Sequence, residues 1–163
     1  MKKTTAYLNY ISVFIAAILV GLDQFLKQLA VEHLSGIETF PVIEDVFQLT
    51  YVENRGAAFG ILEGKKLFLV GITGIVLLVL AILLLFQKIK HPFLIWSITL
   101  VLGGGVGNLI DRISLGYVID YLHLTLFDFP VFNFADCCVS IGTVMLIIYF
   151  IFLDTKSKNK TGN

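Results

Sequence analysis

Asp120 and Asp136 are the two side chains on which chemistry is most readily built in this chain. They fall in Val118-Ile119-Asp120-Tyr121 and Asn133-Phe134-Ala135-Asp136, within a stretch that opens on Gly107-Asn108-Leu109-Ile110-Asp111-Arg112. Each end of this stretch joins a carboxylate to a strongly apolar segment. Charged groups at a membrane boundary are costly unless paired or hydrated, so acids repeated there mark a functional site. Two carboxylates sharing one proton can hydrolyse an amide without metal or covalent nucleophile: the ionised one takes a proton from water while the protonated one polarises the scissile carbonyl. Asn54, Asn108, Asn133 and Arg112 offer hydrogen bonds that would hold a substrate backbone across such a pair. A structural account competes: Arg112 buffers one acid, while Asp136 is favoured at a helix start by the dipole.

Other constellations carry less. Asp23 and Lys27 stand at i, i+4 with the acid N-terminal, the favourable order for a helical ion pair, with Arg112 as a further partner. A Ser/Lys nucleophile built on Lys27 lacks a serine in a suitable context, since Ser35 and Ser114 have none. His123 lies near Asp120, but His33 and His91 have no evident route to it and a catalytic zinc usually takes three protein ligands, so His123 reads as an exposed loop residue and no metal is expected. Cys137 and Cys138 are adjacent, which suits neither a disulfide nor a zinc motif. Gly103-Gly104-Gly105-Val106-Gly107 lacks the strand and the G-x-G-x-x-G spacing of a phosphate loop, and within a membrane helix small residues permit close helix packing.

The elements that must position these residues are membrane helices. Of the 163 residues, 57% are hydrophobic and 15% charged, and the mean hydropathy is +0.88, beyond an ordinary soluble composition. Apolar runs near 10–30, 67–87, 92–110 and 134–153 each approach the roughly 20 residues a spanning helix needs. Lys2, Lys3, Lys88, Lys90, Lys156, Lys158 and Lys160 flank them on one side of a four-span topology, which the positive-inside rule makes cytoplasmic along with both termini. Glu32, Glu38, Glu44, Asp45, Glu53, Glu63, Asp120 and Asp128 fall in the two opposite loops, and Asp154 alone among the loop and tail acids is cytoplasmic. This places Asp23, Asp111 and Asp136 at the outer leaflet. In those loops, 46–53 and 117–126 show the β-branched and aromatic pattern of strands, and Asn54-Arg55-Gly56 makes Gly56 a turn position. The expected fold is therefore an all-α membrane protein of four transmembrane helices with a small extracytoplasmic sheet. Residues 1–155 form one domain and 156–163 a disordered tail.

Taken in order, Asp23-Gln24-x-x-Lys27, Asn54-x-Gly56-Ala57-Ala58-Phe59, Gly107-Asn108-Leu109-Ile110-Asp111-Arg112, Val118-Ile119-Asp120-Tyr121 and Phe132-Asn133-Phe134-Ala135-Asp136 resemble the motifs of bacterial lipoprotein signal peptidases, the signal peptidase II family. The motifs cover essentially the whole chain apart from its tail. The resemblance implies a membrane aspartic endopeptidase that cuts the signal peptide from a prolipoprotein immediately before its diacylglyceryl-modified cysteine. It implies Asp120 and Asp136 as the catalytic pair, and Asn54, Asn108, Asp111, Arg112 and Asn133 as polar positions lining the pocket for substrate and for globomycin-type inhibitors. Asp23 and Lys27 match a first-helix structural motif, and no cofactor is implied. Cys137-Cys138 departs from the serines that many members carry there. The expected partners are the prolipoprotein and membrane lipid, without nucleic acid. The competing class is a small proton-coupled membrane carrier or its helper subunit, but internal repeats and broken helices, the usual marks of carriers, are not evident.

Overall fold

A computed structural model describes residues 2–37, 39–56, 65–127 and 129–153. Glu38, Ala57, Ala58, Phe59, Gly60, Glu63, Asp128, Asp154 and the tail 156–163 lie outside the described residues, as do the side chains of Lys2 and Lys3. Four helices among the described residues are long and apolar enough to cross a membrane: α1 (Lys2–Leu34), α2 (Lys66–Leu85), α3 (Pro92–Ser114) and α4 (Phe134–Ile148), the last extended by a π-helical turn at Tyr149–Leu153. The fourth expected span is thus one segment with two windings. α1 outruns its expected end because Ala30 and Leu34 are buried against Ile119 and Tyr121 of the sheet. Pro92 begins α3, where a missing N–H costs nothing.

The sheet has three antiparallel strands in the order β1 (Thr39–Ile43), β2 (Phe47–Asn54) and β3 (Val118–Leu124). β2 pairs with β3 from Phe47↔Leu124 to Asn54↔Val118, with a register shift between Leu49 and Val52. This pairing joins the α1–α2 connection to the α3–α4 connection, so both lie at the same end of the bundle. Side chains alternate across β3. Ile119 and Tyr121 pack on α1, whereas Val118, Asp120 and Leu124 face a cavity.

α3 is the axis of the bundle. Half of its apolar window is buried, against 11–22% for the other three spans, which present residues such as Phe14, Ile75 and Ile147 outward. The glycine run explains how three neighbours fit around one helix. Successive α-helical residues point about 100° apart, and an added Cβ would meet Leu19 of α1 at Gly103 (2.7 Å), Cys138 of α4 at Gly104 (3.0 Å) and Leu77 of α2 at Gly105 (2.6 Å). At Gly107, four residues after Gly103, the face returns to α1 and the neighbour is the Asp23 carboxylate. The packing role expected of this run is resolved by partner: Gly103 and Gly107 face α1, Gly104 faces α4 and Gly105 faces α2.

Candidate active site

Asp120 comes from β3 and Asp136 from the first turn of α4, and both face a cavity of about 590 Å³. Asp120 lies on a strand and not on an irregular loop. Asn133 caps α4 by accepting from the Asp136 N–H (2.9 Å), and the Asp136 carboxylate accepts in return from the Asn133 N–H (3.2 Å), a reciprocal capping box. The other Asp136 oxygen accepts from Asn108 Nδ2 (2.7 Å). Asp120 accepts from Asn54 Nδ2 (2.9 Å) and from Asn133 Nδ2 (2.6 Å). Asn133 Nδ2 also lies 3.1 Å from Asn108 Oδ1, so an amide chain links the two acids: Asp120, Asn133, Asn108, Asp136.

The orientation of each amide follows from donors that cannot accept. The Asn54 oxygen takes the Gly56 N–H (3.0 Å), that of Asn133 takes the Asp136 N–H, and that of Asn108 takes the Lys27 ammonium (2.8 Å). Each NH2 group is thereby left facing a carboxylate. The first of these contacts is the turn expected at Asn54-Arg55-Gly56, and Arg112 Nη2 closes it by donating to the Gly56 carbonyl (3.0 Å).

Behind the cavity sits a buried charge cluster. Lys27 lies 2.8 Å from Asp23 Oδ2 and 2.8 Å from Asp111 Oδ2. Asp23 further accepts from the Ala135 N–H (3.0 Å), and Asp111 accepts from Gln24 Nε2 (2.9 Å) and from the Ile119 N–H (3.2 Å). The expected i, i+4 pair is therefore present, but its third charged member is Asp111 and not Arg112. Breaking such a buried pair by removing one partner costs roughly 3–5 kcal/mol. The cluster ties α1 and α3 to the backbone at the start of β3 and of α4, the two elements that carry the acids.

Of the pocket positions, Asn54, Asn108 and Arg112 line the cavity with both acids. Asp111 and Asn133 do not; they are buried behind it because Lys27 and Gln24 draw Asp111 toward α1 and the capping box draws Asn133 inward. His123 is a half-buried strand residue bonded to Gln48 (2.9 Å), which corrects its reading as an exposed loop residue. The sequence reading did not identify Gln24 as part of the cluster, nor the apolar wall formed by Phe129, Phe132 and Ile141. The aromatic residues on either side of Pro130 were the available signal for that wall. Burial foremost, and then the neighbouring Asp136, pushes Asp120 up to about 7, although the bond from Asn54 pulls the other way.

Cys137 lines the cavity while Cys138 is buried toward Gly104. Neither stands in the amide chain that links the acids. Cys137→Ser together with Cys138→Ser is expected to retain cleavage within about tenfold of the parent, less than the loss of one acid/base group. Inactivity of a stably folded double variant would show that a thiol is required.

A family model described as Signal peptidase (SPase) II matches residues 15–152. The chain is 44% identical over 146 residues to the lipoprotein signal peptidase of Brevibacillus brevis, covering 90% of this chain and 97% of that protein. It is 41% identical over 146 residues to the lipoprotein signal peptidase of Clostridioides difficile, with 90% and 98% covered. A solved bacterial membrane enzyme superposes with a TM-score of 0.81 at 33% identity, covering 94% of this chain and 93% of that one. Asp23, Asn54, Asn108, Asp120 and Asp136 all lie inside the matched region, and the chain belongs to the signal peptidase II family of membrane aspartic endopeptidases.

Proposed function

We propose that the protein removes the signal peptide from prolipoproteins by cutting immediately before the diacylglyceryl-modified cysteine, with water as nucleophile and Asp120 and Asp136 as the acid/base pair. The observation that carries this reading is the opening of both carboxylates onto one largely apolar cavity while an amide chain joins them behind it. Burial keeps Asp120 protonated to about pH 7, which makes it the donor to the scissile carbonyl. Asp136 then takes a proton from the attacking water, and the tetrahedral intermediate carries its hydroxyl on the former carbonyl carbon. The intermediate is thus a gem-diol; its collapse breaks the C–N bond, with Asp136 returning its proton to the leaving amine and Asp120 recovering its own from the hydroxyl that becomes the new carbonyl oxygen. Asn54, Asn108 and Arg112 contact the substrate backbone or a globomycin-type inhibitor in the same cavity, whose apolar wall of Phe129, Phe132 and Ile141 receives the lipidated cysteine and bilayer lipid. Membership of a peptidase family leaves the carrier reading with no observation in its favour.

Incubating the purified protein with a diacylglyceryl-modified prolipoprotein tests the proposal: the expected products are the signal peptide and a protein beginning at the lipidated cysteine. Cleavage at another bond, or equal cleavage of the unlipidated precursor, would refute the assigned specificity.

The same reading sets a pH dependence. The Asn54 donor favours ionised Asp120, so Asn54→Leu leaves its carboxyl protonated to still higher pH. The expected result is slower cleavage with the alkaline limb of the rate profile moved upward. An unmoved or lowered limb would show that Asp120 does not set it.

The proposed location is the bacterial cytoplasmic membrane, with residues 1–155 as one domain, both termini and the tail 156–163 in the cytoplasm, and the site at the outer leaflet. The flanking lysines support it. With Cys137 and Cys138 replaced, a cysteine at position 38 is expected to react with an impermeant thiol reagent in intact cells and one at position 160 is not. The opposite pattern would invert the topology.

A further inference from the structure

Lys27 is a buried cation to which the hydrolytic steps give no task. It is 2% exposed and is not among the residues lining the catalytic cavity. Its ammonium has three N–H bonds and three acceptors, each at 2.8 Å: Asp23 Oδ2, Asp111 Oδ2 and Asn108 Oδ1. Two carboxylates already suffice to neutralise one cation, and the third bond goes to a neutral amide whose other end donates to Asp136 at 2.7 Å. An ammonium has no lone pair, so beside it Asn108 can present only its oxygen. The NH2 of the same amide is then committed to the carboxylate, and charge at one end of the amide strengthens donation at the other.

We propose that Lys27 is a positioning residue of the hydrolytic site, acting through Asn108 to hold Asp136 as an acceptor turned toward the attacking water. The proposal rests on the reading of Asp120 and Asp136 as the catalytic pair. Without Lys27 the Asn108 oxygen loses its cationic donor and keeps only the longer bond from Asn133 (3.1 Å), so the amide is less polarised and holds Asp136 less firmly through its NH2. Lys27 does not line the cavity and acts only through Asn108, so turnover is affected far more than substrate affinity.

Lys27→Met alone would strand two buried acids, so the test pairs it with neutralisation of one of them. Lys27→Met with Asp111→Asn, and separately Lys27→Met with Asp23→Asn, keep the formal charge of the cluster unchanged. Binding of a non-cleavable diacylglyceryl peptide counts the intact sites, and kcat per site and KM are measured with the cleavable peptide. Asp111→Asn and Asp23→Asn alone are measured alongside, to separate loss of the lysine from loss of its partner. The expected result is a further fall in kcat per site of about 10²-fold relative to the matching single variant, the scale of a misplaced reacting group, with KM changed less than about threefold. Equal kcat per site in double and single variants, a loss only in the number of sites, or failure of both doubles to fold would each make Lys27 a purely structural residue and overturn the proposal. Asp136→Asn is run in parallel. If it retains turnover, the catalytic pair itself is wrong; if it is inactive while the Lys27 variants keep their turnover, only the positioning role falls.

Discussion

Asp120→Asn and Asp136→Asn are each expected to reduce prolipoprotein cleavage by at least about 10³-fold, the combined scale of acid and base contributions that operate together. Asparagine preserves the shape of either side chain and removes the titrating oxygen. At position 120 it would also set an NH2 group against Asn54 Nδ2 or Asn133 Nδ2, both of which are donors pinned in place. At position 136 its single oxygen can serve either Asn108 Nδ2 or the Asn133 N–H, so the capping box weakens while α4 keeps its Asn133 cap. Both variants should fold and bind a substrate-like peptide. The parent pH profile should be bell-shaped, reporting the pair and not one residue, and a chelator should leave it unchanged. Near-normal turnover in either variant, or chelator-sensitive activity restored by zinc, would remove the carboxylate mechanism.

Gly104→Leu is expected to be the most damaging single glycine substitution among those compared, whereas Gly71→Leu should be close to neutral. A Cβ at Gly104 would collide with the Ala135 carbonyl oxygen and press on Val139 (2.9 Å) and Cys138 (3.0 Å). The obstacle is α4 backbone, which cannot rotate out of the way as a side chain can. Overpacking typically costs 1–3 kcal/mol and occasionally more, and here the displaced residue precedes Asp136, so activity should fall along with stability. At Gly71 on α2 nothing lies within 4 Å of an added Cβ, and the residue is exposed on the outside of the bundle. Thermal unfolding in detergent separates the two. A Gly104→Leu variant as stable as Gly71→Leu would mean that α3 and α4 do not pack this closely.

Much of this architecture was legible because its signals are local. A run of about 20 apolar residues fixes a span, and the alternation in 46–53 and 117–126 placed β2 and β3 to within a few residues. β1 was missed because Pro41 sits within it and Phe40, Val42 and Ile43 are all exposed, so no buried face imposes a period of two. The spacing of Asp23 and Lys27 gave their pairing, since i, i+4 is a property of one helix. That Asp111 completes the cluster depends on the rotation of α3 against α1, which no spacing within either helix encodes. Asp111 and Asn133 carried the same family resemblance as Asn108 and Arg112, yet they stand behind the cavity. Motif membership marks residues that stand together; it does not say which of them face the cavity.

The glycines of α3 bear on how the site behaves in membranes of different thickness. Gly103, Gly104, Gly105 and Gly107 admit Leu19, the start of α4, Leu77 and Asp23 at matched heights along the axis. Sliding α3 by one residue would turn bulkier groups toward contacts that accept only hydrogen, so the helix is locked lengthwise against all three neighbours at once. Its end, with Asn108 and Arg112, therefore keeps a constant elevation relative to Asp120 and Asp136. A thinner or thicker bilayer must be met by tilting of the whole bundle or by deformation of the surrounding lipid, at fractions of a kcal/mol per Å, and not by slippage between helices. The fit of α3 against its three neighbours is in this way insulated from the lipid composition of the membrane, while the depth of the cavity within the bilayer is not.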